Sequence, residues 1–242
     1  MGVFAFEGIE RSPVCEDIGL WYYDDMKNKK DRYDTSGLLE AQFEPGSGDL
    51  VLKNLLAIKS KDEMDKIEAV ALKEAEEQLF RTFTKEHRFT AKDICNIHKV
   101  WLGRIYPWAG EYRRVNLSKG EFHFSVAEHV PSLMGEFEGG VLKTWTPCLF
   151  KDEVDIVKAL AEVHAELVLI HPFREGNGRV ARVLATLMAL QAGLPLLNFS
   201  EIHGNKRDFY FKAVQQGMKR NYEPMEEVFR VVLKTTFANL KA

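Results

Sequence analysis

His171-Pro172-Phe173-Arg174-Glu175-Gly176-Asn177-Gly178-Arg179-Val180-Ala181-Arg182 is the stretch from which the rest of the chain is read. Before it, from about Asp152 to Ile170, apolar residues (Val154, Val157, Leu160, Ala161, Leu167, Val168) fall on more than one face, which predicts a central, buried helix. After it, an apolar pattern runs from about Asn177 to Ala192, with Gly193 placed as a C′ residue and Pro195 just beyond. Pro172 ends or bends the first helix, because a proline ring removes a helical hydrogen bond. The polar dozen therefore sits at the junction of two buried helices.

Those residue types suit a polyphosphate site with a base beside it. Phe173 is placed as an anchor into the core, and Gly176 and Gly178 allow positive φ and close approach of a ligand to the backbone. With Asn177 they lie where the second helix begins, so several N–H groups lack carbonyl partners and the helix dipole favours an anion. Arg179 and Arg182, three residues apart, project as neighbours and match a chain of phosphates. Glu175 offers a hard oxygen to Mg²⁺, which takes one or two carboxylates together with phosphate oxygens. His171 offers an imidazole that is ordinarily neutral at pH 7, hence a general base. His164, two helical turns earlier, is about 10 Å away at 1.5 Å per residue and reads as a packed core histidine, not a co-ligand.

Working outward, the periodicity stays mostly helical. Ser60 with Glu63 predicts a capped helix through Leu79, with Met64, Ile67, Val70, Ala71 and Ala75 on its buried face. Thr90 caps a helix with the stripe Ile94, Ile97, Val100, Trp101 and Ile105, which stops before Pro107. Between Tyr112 and Ser125 the period becomes two: Val115 and Leu117, then Phe122 and Phe124, flank a four-residue loop, Ser118 to Glu121. Ser125 with Glu128 predicts the next helix start. Two further helices are expected near Asn205–Arg220 and, with Pro224 at N1, over Met225–Leu240. The expected fold is an all-α helical bundle with one small β-hairpin, preceded by an irregular extension over residues 1–50, with the main domain at 51–242.

With 33 basic and 36 acidic residues and a net charge of −3, the chain has no charge balance suited to nucleic acid. Cys15, Cys95 and Cys148 are odd in number and widely spaced, as expected of reduced thiols. The longest apolar stretch, around Leu184 to Leu197, is interrupted by Thr186, Gln191, Gly193 and Pro195, so no membrane span is expected. No basic-then-apolar leader is visible, and Phe6 stands where an acylation signal needs Ser or Thr. A cytoplasmic location is the expectation.

His171-x-Phe173-x-Glu175-Gly176-Asn177-Gly178-Arg179-x-x-Arg182 resembles the complete signature of the Fic family (filamentation induced by cyclic AMP). The likeness extends to Val51–Leu56, to Tyr106-Pro107-Trp108-Ala109-Gly110 and to the hairpin, covering roughly residues 50 to 240. It implies transfer of AMP from ATP to a Ser, Thr or Tyr hydroxyl of a target protein. His171 would be the base and Glu175 would hold Mg²⁺. Gly176, Asn177 and Gly178 would cradle phosphates, with Arg179 and Arg182 on the outer ones. The hairpin (Arg114, Val115, Asn116, Leu117, Phe122, His123, Phe124) would be a flap that aligns the target by strand addition. Asn205 and Tyr210 stand where the family often closes the adenine pocket. Death-on-curing relatives, which phosphorylate, carry Lys at the Gly178 position, so Gly178 favours nucleotidyl transfer.

Many members of the family are silenced by a glutamate that pairs with the second motif arginine, here Arg182. Ser36-Gly37-Leu38-Leu39-Glu40 matches that inhibitory pattern in part, but Ala41 replaces its last residue and Gly37 weakens a helix by about 1 kcal/mol relative to Ala. Glu40 is thus the candidate inhibitory residue in this chain, and a small antitoxin-like protein is the other source of inhibition. Alternatives to transfer are removal of AMP, transfer of another phosphate-containing group on the same fold, and non-catalytic binding of a phosphorylated ligand.

Overall fold

Ser60 accepts a hydrogen bond from the Glu63 amide (3.4 Å) and starts the first long helix, α1 (Lys61–Thr82), where the capping pattern predicts. The structure, a computed structural model, describes residues 37–202 and 206–239. Ser36 and Asn205 lie outside the described residues. The buried stripe of α1 is Met64, Glu68, Leu72, Ala75 and Leu79, whereas Val70 is 60% exposed. The expected face is therefore rotated, because Glu68 is drawn inward by buried partners that apolar periodicity does not count.

Helix α2 (Ala91–Leu102) opens on a reciprocal capping box: Thr90 Oγ1 accepts from the Asp93 amide (3.2 Å), and Asp93 Oδ2 accepts from the Thr90 amide (2.9 Å). It buries Ile94, Ile97 and Trp101, with Ile105 buried beyond its end. The hairpin consists of β1 (Ser118–Lys119) and β2 (Phe122–His123), antiparallel, with Ser118 opposite His123 and Lys119 opposite Phe122. Its loop is two residues, Gly120 and Glu121, not four; Gly120 at φ 57 supplies the positive dihedral such a short turn needs.

Ser125 does not start a helix. Its carbonyl accepts from Arg113, and its hydroxyl turns to donate to the Leu169 carbonyl (3.5 Å). A 3-10 turn at Ala127–His129 leads instead into α3 (Val130–Phe137), followed by a π-helical turn (Glu138–Leu142) and the short α4 (Lys143–Trp145).

Helix α5 (Glu153–Ile170) starts at Asp152, whose carboxylate accepts from the Val154 amide (2.7 Å), and packs against α3, α6 (Asn177–Gln191), α7 (Arg207–Gly217) and α8 (Glu223–Asn239). It is the central helix its sequence predicts, apart from Val154, which is 52% exposed in the first turn. Leu160, Leu184 and Leu187 are fully buried in this layer, each worth about 1.5–3 kcal/mol of burial. Gly193 at φ 83 terminates α6. Helix α8 begins at Glu223, which makes Pro224 its second residue instead of its first. Residues 42–53 fold back through a Phe43–Leu52 bridge, with Glu44 N to Val51 O at 2.8 Å and Lys53 N to Gln42 O at 2.9 Å. Among the described residues no helix is long and apolar enough to cross a membrane. Among the described residues, the helical architecture with one two-stranded hairpin is as expected.

Candidate active site

The end of α5 places His171. Its amide still bonds the Leu167 carbonyl (3.1 Å), but its backbone turns left-handed at φ 53, ψ 58 and the chain leaves the helix. Imidazole Nδ1 lies 3.0 Å from the Val168 carbonyl, which can only accept, so Nδ1 carries the proton and Nε2 keeps the lone pair. The Phe124 ring of the flap stacks on the imidazole at 3.6 Å and 18°. Burial, aided by the Arg113 and Lys119 charges, pushes His171 down to about 3. The imidazole is held neutral by its surroundings, beyond what an ordinary histidine pKa supplies.

Phe173 anchors the loop as predicted: it is wholly buried and stacks on His98 at 4.0 Å and 5°. The Gly110 amide donates to His98 Nδ1 (2.7 Å), so His98 Nε2–H donates to the Glu175 carbonyl (3.1 Å). Asn177 has a different task from the one its sequence position suggests. Its side chain is spent on the loop: Oδ1 accepts from the Phe173 amide and Nδ2 donates to the Phe173 carbonyl, both at 2.8 Å. Its contribution to an anion is left to the backbone at the start of α6. Asn177→Ala orphans two buried main-chain groups, at about 1–3 kcal/mol each. The expected result is a lower midpoint in urea unfolding; an unchanged midpoint would count against this reading.

Gly176 takes φ 84, and a Cβ there would meet Trp101 at 2.5 Å, so its smallness serves core packing. Gly178, by contrast, is helical and does not use positive φ. A Cβ on it would meet only Arg182 Nη1, at 3.9 Å, and it lines the cavity. The glycine there keeps space open for a ligand.

Glu175 is buried, its Oε1 accepting from the Gly176 amide (2.9 Å) and from Arg179 Nη2 (3.2 Å); burial raises its pKa against the pull of Arg179. Arg179 also pairs with Glu68 Oε2 at 2.8 Å and lies over the Trp101 ring at 4.4 Å. Glu68 in turn accepts from the Tyr106 hydroxyl (2.7 Å). Among the described residues no cluster of three acidic, histidine or cysteine side chains could hold a metal. Glu175 could hold a cation as a single carboxylate with phosphate oxygens completing its shell, a usual manner of Mg²⁺.

These groups line a cavity of about 310 Å³, within the small-molecule range. The loop and α6 contribute His171, Glu175, Gly178, Arg179 and Arg182; the flap adds Lys119, Phe122 and Phe124; α1 adds Lys61 and Glu68; α7 adds Arg207 and Tyr210. Five cations against two carboxylates make the cavity electropositive. The Tyr210 hydroxyl is 2.9 Å from His164 Nε2, so His164 is the core histidine expected, and burial pushes it to about 3.

Of the flap residues, Val115 is buried, while Arg114, Asn116 and His123 are exposed. The Arg114 amide donates to Glu40 Oε1 (2.6 Å), and Asn116 Oδ1 accepts from the Ala127 amide (2.8 Å). Phe124 N to Leu117 O (3.1 Å) closes the hairpin root. Glu40 is buried in a 3-10 turn (Leu39–Ala41) at that root; burial raises its pKa, opposed by Arg174, Arg114 and Arg113. It is therefore not a solvated carboxylate. Sequence reasoning missed Glu68, Tyr106, Arg113 and Lys119. Two signals were present: an acid at i+4 from Met64 and i−4 from Leu72, and an arginine in step with inward Val115 and Leu117.

His98, His164 and His171 are each pushed down to about 3 by burial. Their folded pKa values lie below the unfolded value of about 6.5. Each thus contributes stability that is present above pH 6.5 and is lost as pH falls toward 3, while Glu76, raised to about 7 by burial, acts in the opposite direction. The expected NMR result is no titration of these three imidazoles between pH 5 and 8. A His171 midpoint near 6.5 would overturn the buried, neutral imidazole.

Residues 88–189 match the Fic/DOC family model. The chain is 31% identical over 176 residues to "Protein adenylyltransferase Fic" of Aedes aegypti, covering 69% of this chain and 33% of that one. It is 29% identical over 169 residues to the protein of the same name from Culex quinquefasciatus, again covering 69% and 33%. The chain thus spans about a third of the length of these relatives. Among solved structures, BepC from Bartonella tribocorum with bound AMPPNP aligns at TM-score 0.65 and 20% identity, over 81% of this chain and 97% of that one. The N-terminal Fic domain of a putative cell filamentation protein from Bartonella quintana, with bound ADP, aligns at TM-score 0.63 and 23% identity, over 78% and 92%. These likenesses show the fold.

Proposed function

The chain is a member of the Fic/DOC family through its domain at residues 88–189, and on that footing we propose that it transfers AMP from ATP to a hydroxyl side chain of a target protein. The observation that carries the reading is a neutral, tautomer-fixed imidazole at the edge of a cavity rich in cations, with a flap stacked directly upon it. His171 Nε2 takes the proton of the target hydroxyl. The freed oxygen attacks the α-phosphorus, the bond to the β-phosphate bridging oxygen breaks, and pyrophosphate leaves. Amides at the start of α6, with Arg179 and Arg182, hold the phosphates. Mg²⁺, when bound through Glu175, supplies charge neutralisation on the phosphate oxygens.

An imidazole at about 3 is a weak base in the free protein, but a polyphosphate beside it favours its protonated form and strengthens it. Base strength is thereby tied to nucleotide occupancy. The names of the adenylyltransferase relatives, and AMPPNP and ADP in two related folds, support ATP as substrate. The flap exposes Asn116 and His123 at an edge suited to strand addition by the target. Tyr210, with its hydroxyl on His164, forms a wall of the cavity for the base. Glu40 is already engaged at the flap root, which favours inhibition by a separate small protein. The test is incubation with α-labelled and γ-labelled ATP and candidate proteins. Protein-bound label from α-ATP is the expected result; label from γ-ATP alone would mean kinase chemistry.

A further inference from the structure

We propose that Arg113 is a positioning residue that holds the target-docking flap in register with the catalytic imidazole, and so governs turnover of the protein substrate without binding the nucleotide. The inference rests on the AMP transfer proposed above. Arg113 is 2% exposed, and among the described residues its guanidinium donates to four main-chain carbonyls. Nε donates to His171 O at 2.6 Å and Nη1 to Val115 O at 2.7 Å; Nη2 reaches Ser125 O and, at 3.4 Å, Ile170 O. Its own amide donates to Pro172 O (2.8 Å).

These partners form two groups. Ile170, His171 and Pro172 are the end of α5 and the peptide that carries the base. Val115 and Ser125 are the two legs of the flap. One planar group with five donors in a fixed fork therefore ties both legs to the base.

Neither side can hold this geometry alone. The hairpin has only two residue pairs, too few for an independent position. The end of α5 presents carbonyls without helical partners, and His171 sits in a left-handed conformation uncommon for a residue other than glycine. A cation at a helix C-terminus is favoured by the dipole. Arg113 is not among the residues lining the cavity, so it acts through His171 and the flap. The contact it guards is the Phe124 ring on the imidazole, at 3.6 Å.

The test compares Arg113→Lys, which keeps the charge but loses the fork, with Arg113→Gln. ATP Kd, and kcat and KM for transfer from α-labelled ATP to the target protein, are measured. The result expected is an unchanged ATP Kd with kcat lowered roughly 10²-fold, as for a 1 Å misplacement, and incomplete recovery in Arg113→Lys. Loss of ATP affinity in step with kcat, or an unchanged kcat, overturns the proposal. Amide hydrogen exchange of the wild-type chain decides independently of activity and of whether the variants fold. The Phe124 amide on the flap and the Arg113 amide on Pro172 should open with the same free energy. A flap amide that opens far more easily overturns the clamp. Should the wild type transfer no AMP, the functional reading fails, and exchange still judges the clamp.

Discussion

The His171→Ala protein will transfer AMP to its target about 10²–10⁴-fold more slowly than wild type, the usual contribution of a positioned base, while its affinity for ATP stays within the error of measurement. The split follows from where the imidazole sits. Its Nδ1 is bound to the Val168 carbonyl and its face to Phe124, so these described contacts belong to the helix end and the flap. The groups suited to phosphate lie elsewhere, on α6 and in Arg182. Because His171 is left-handed at φ 53, His171→Asn is the better control; asparagine tolerates that conformation while lacking the base. Calorimetric titration with ATP and single-turnover transfer separate the two effects. Equal losses of binding and transfer would move His171 into the nucleotide site.

The second large effect is expected at Glu68, which lies outside the twelve-residue signature. Glu68→Ala removes one partner of a buried ion pair and leaves Arg179 with Glu175 as its described carboxylate partner, at 3.2 Å. Removing one member of such a pair typically costs about 3–5 kcal/mol. The same change orphans the Tyr106 hydroxyl, now 2.7 Å from Glu68 Oε1. Glu68→Gln keeps an acceptor for Tyr106 and should lose less. Chemical denaturation gives the ranking: wild type above Glu68→Gln above Glu68→Ala. Nucleotide binding should weaken too, since Arg179 then draws more fully on the carboxylate proposed to hold Mg²⁺. A loss below about 1 kcal/mol in Glu68→Ala would show that water already screens the pair.

Much of this molecule was legible in local sequence. Ser60, Thr90 and Asp152 announce helix starts because a capping side chain satisfies amides only a few residues away. The central position of α5 follows from apolar residues on several faces. That His171, Glu175, Gly178, Arg179 and Arg182 come together at one cavity follows from residue type and spacing at one helix junction. The hairpin was visible in its period of two, but its loop length was not, because pairing register depends on which residues the partner leg presents.

What only the tertiary structure decided are the contacts between segments far apart in the chain. Glu68 on α1 meets Arg179 on α6, which rotates the buried face of α1 and makes Arg179, expected from sequence to hold phosphate, part of the frame. Asn177 spends its side chain on Phe173, and Gly178 serves by leaving space rather than by positive φ. Glu40 reaches the flap root, 74 residues along the chain from it. Burial moves His171 to about 3, a property no residue carries by itself. Periodicity and capping are short-range and written in neighbouring residues; burial, ion pairing and the hold of Arg113 on two flap legs and a helix end exist only once the chain has packed.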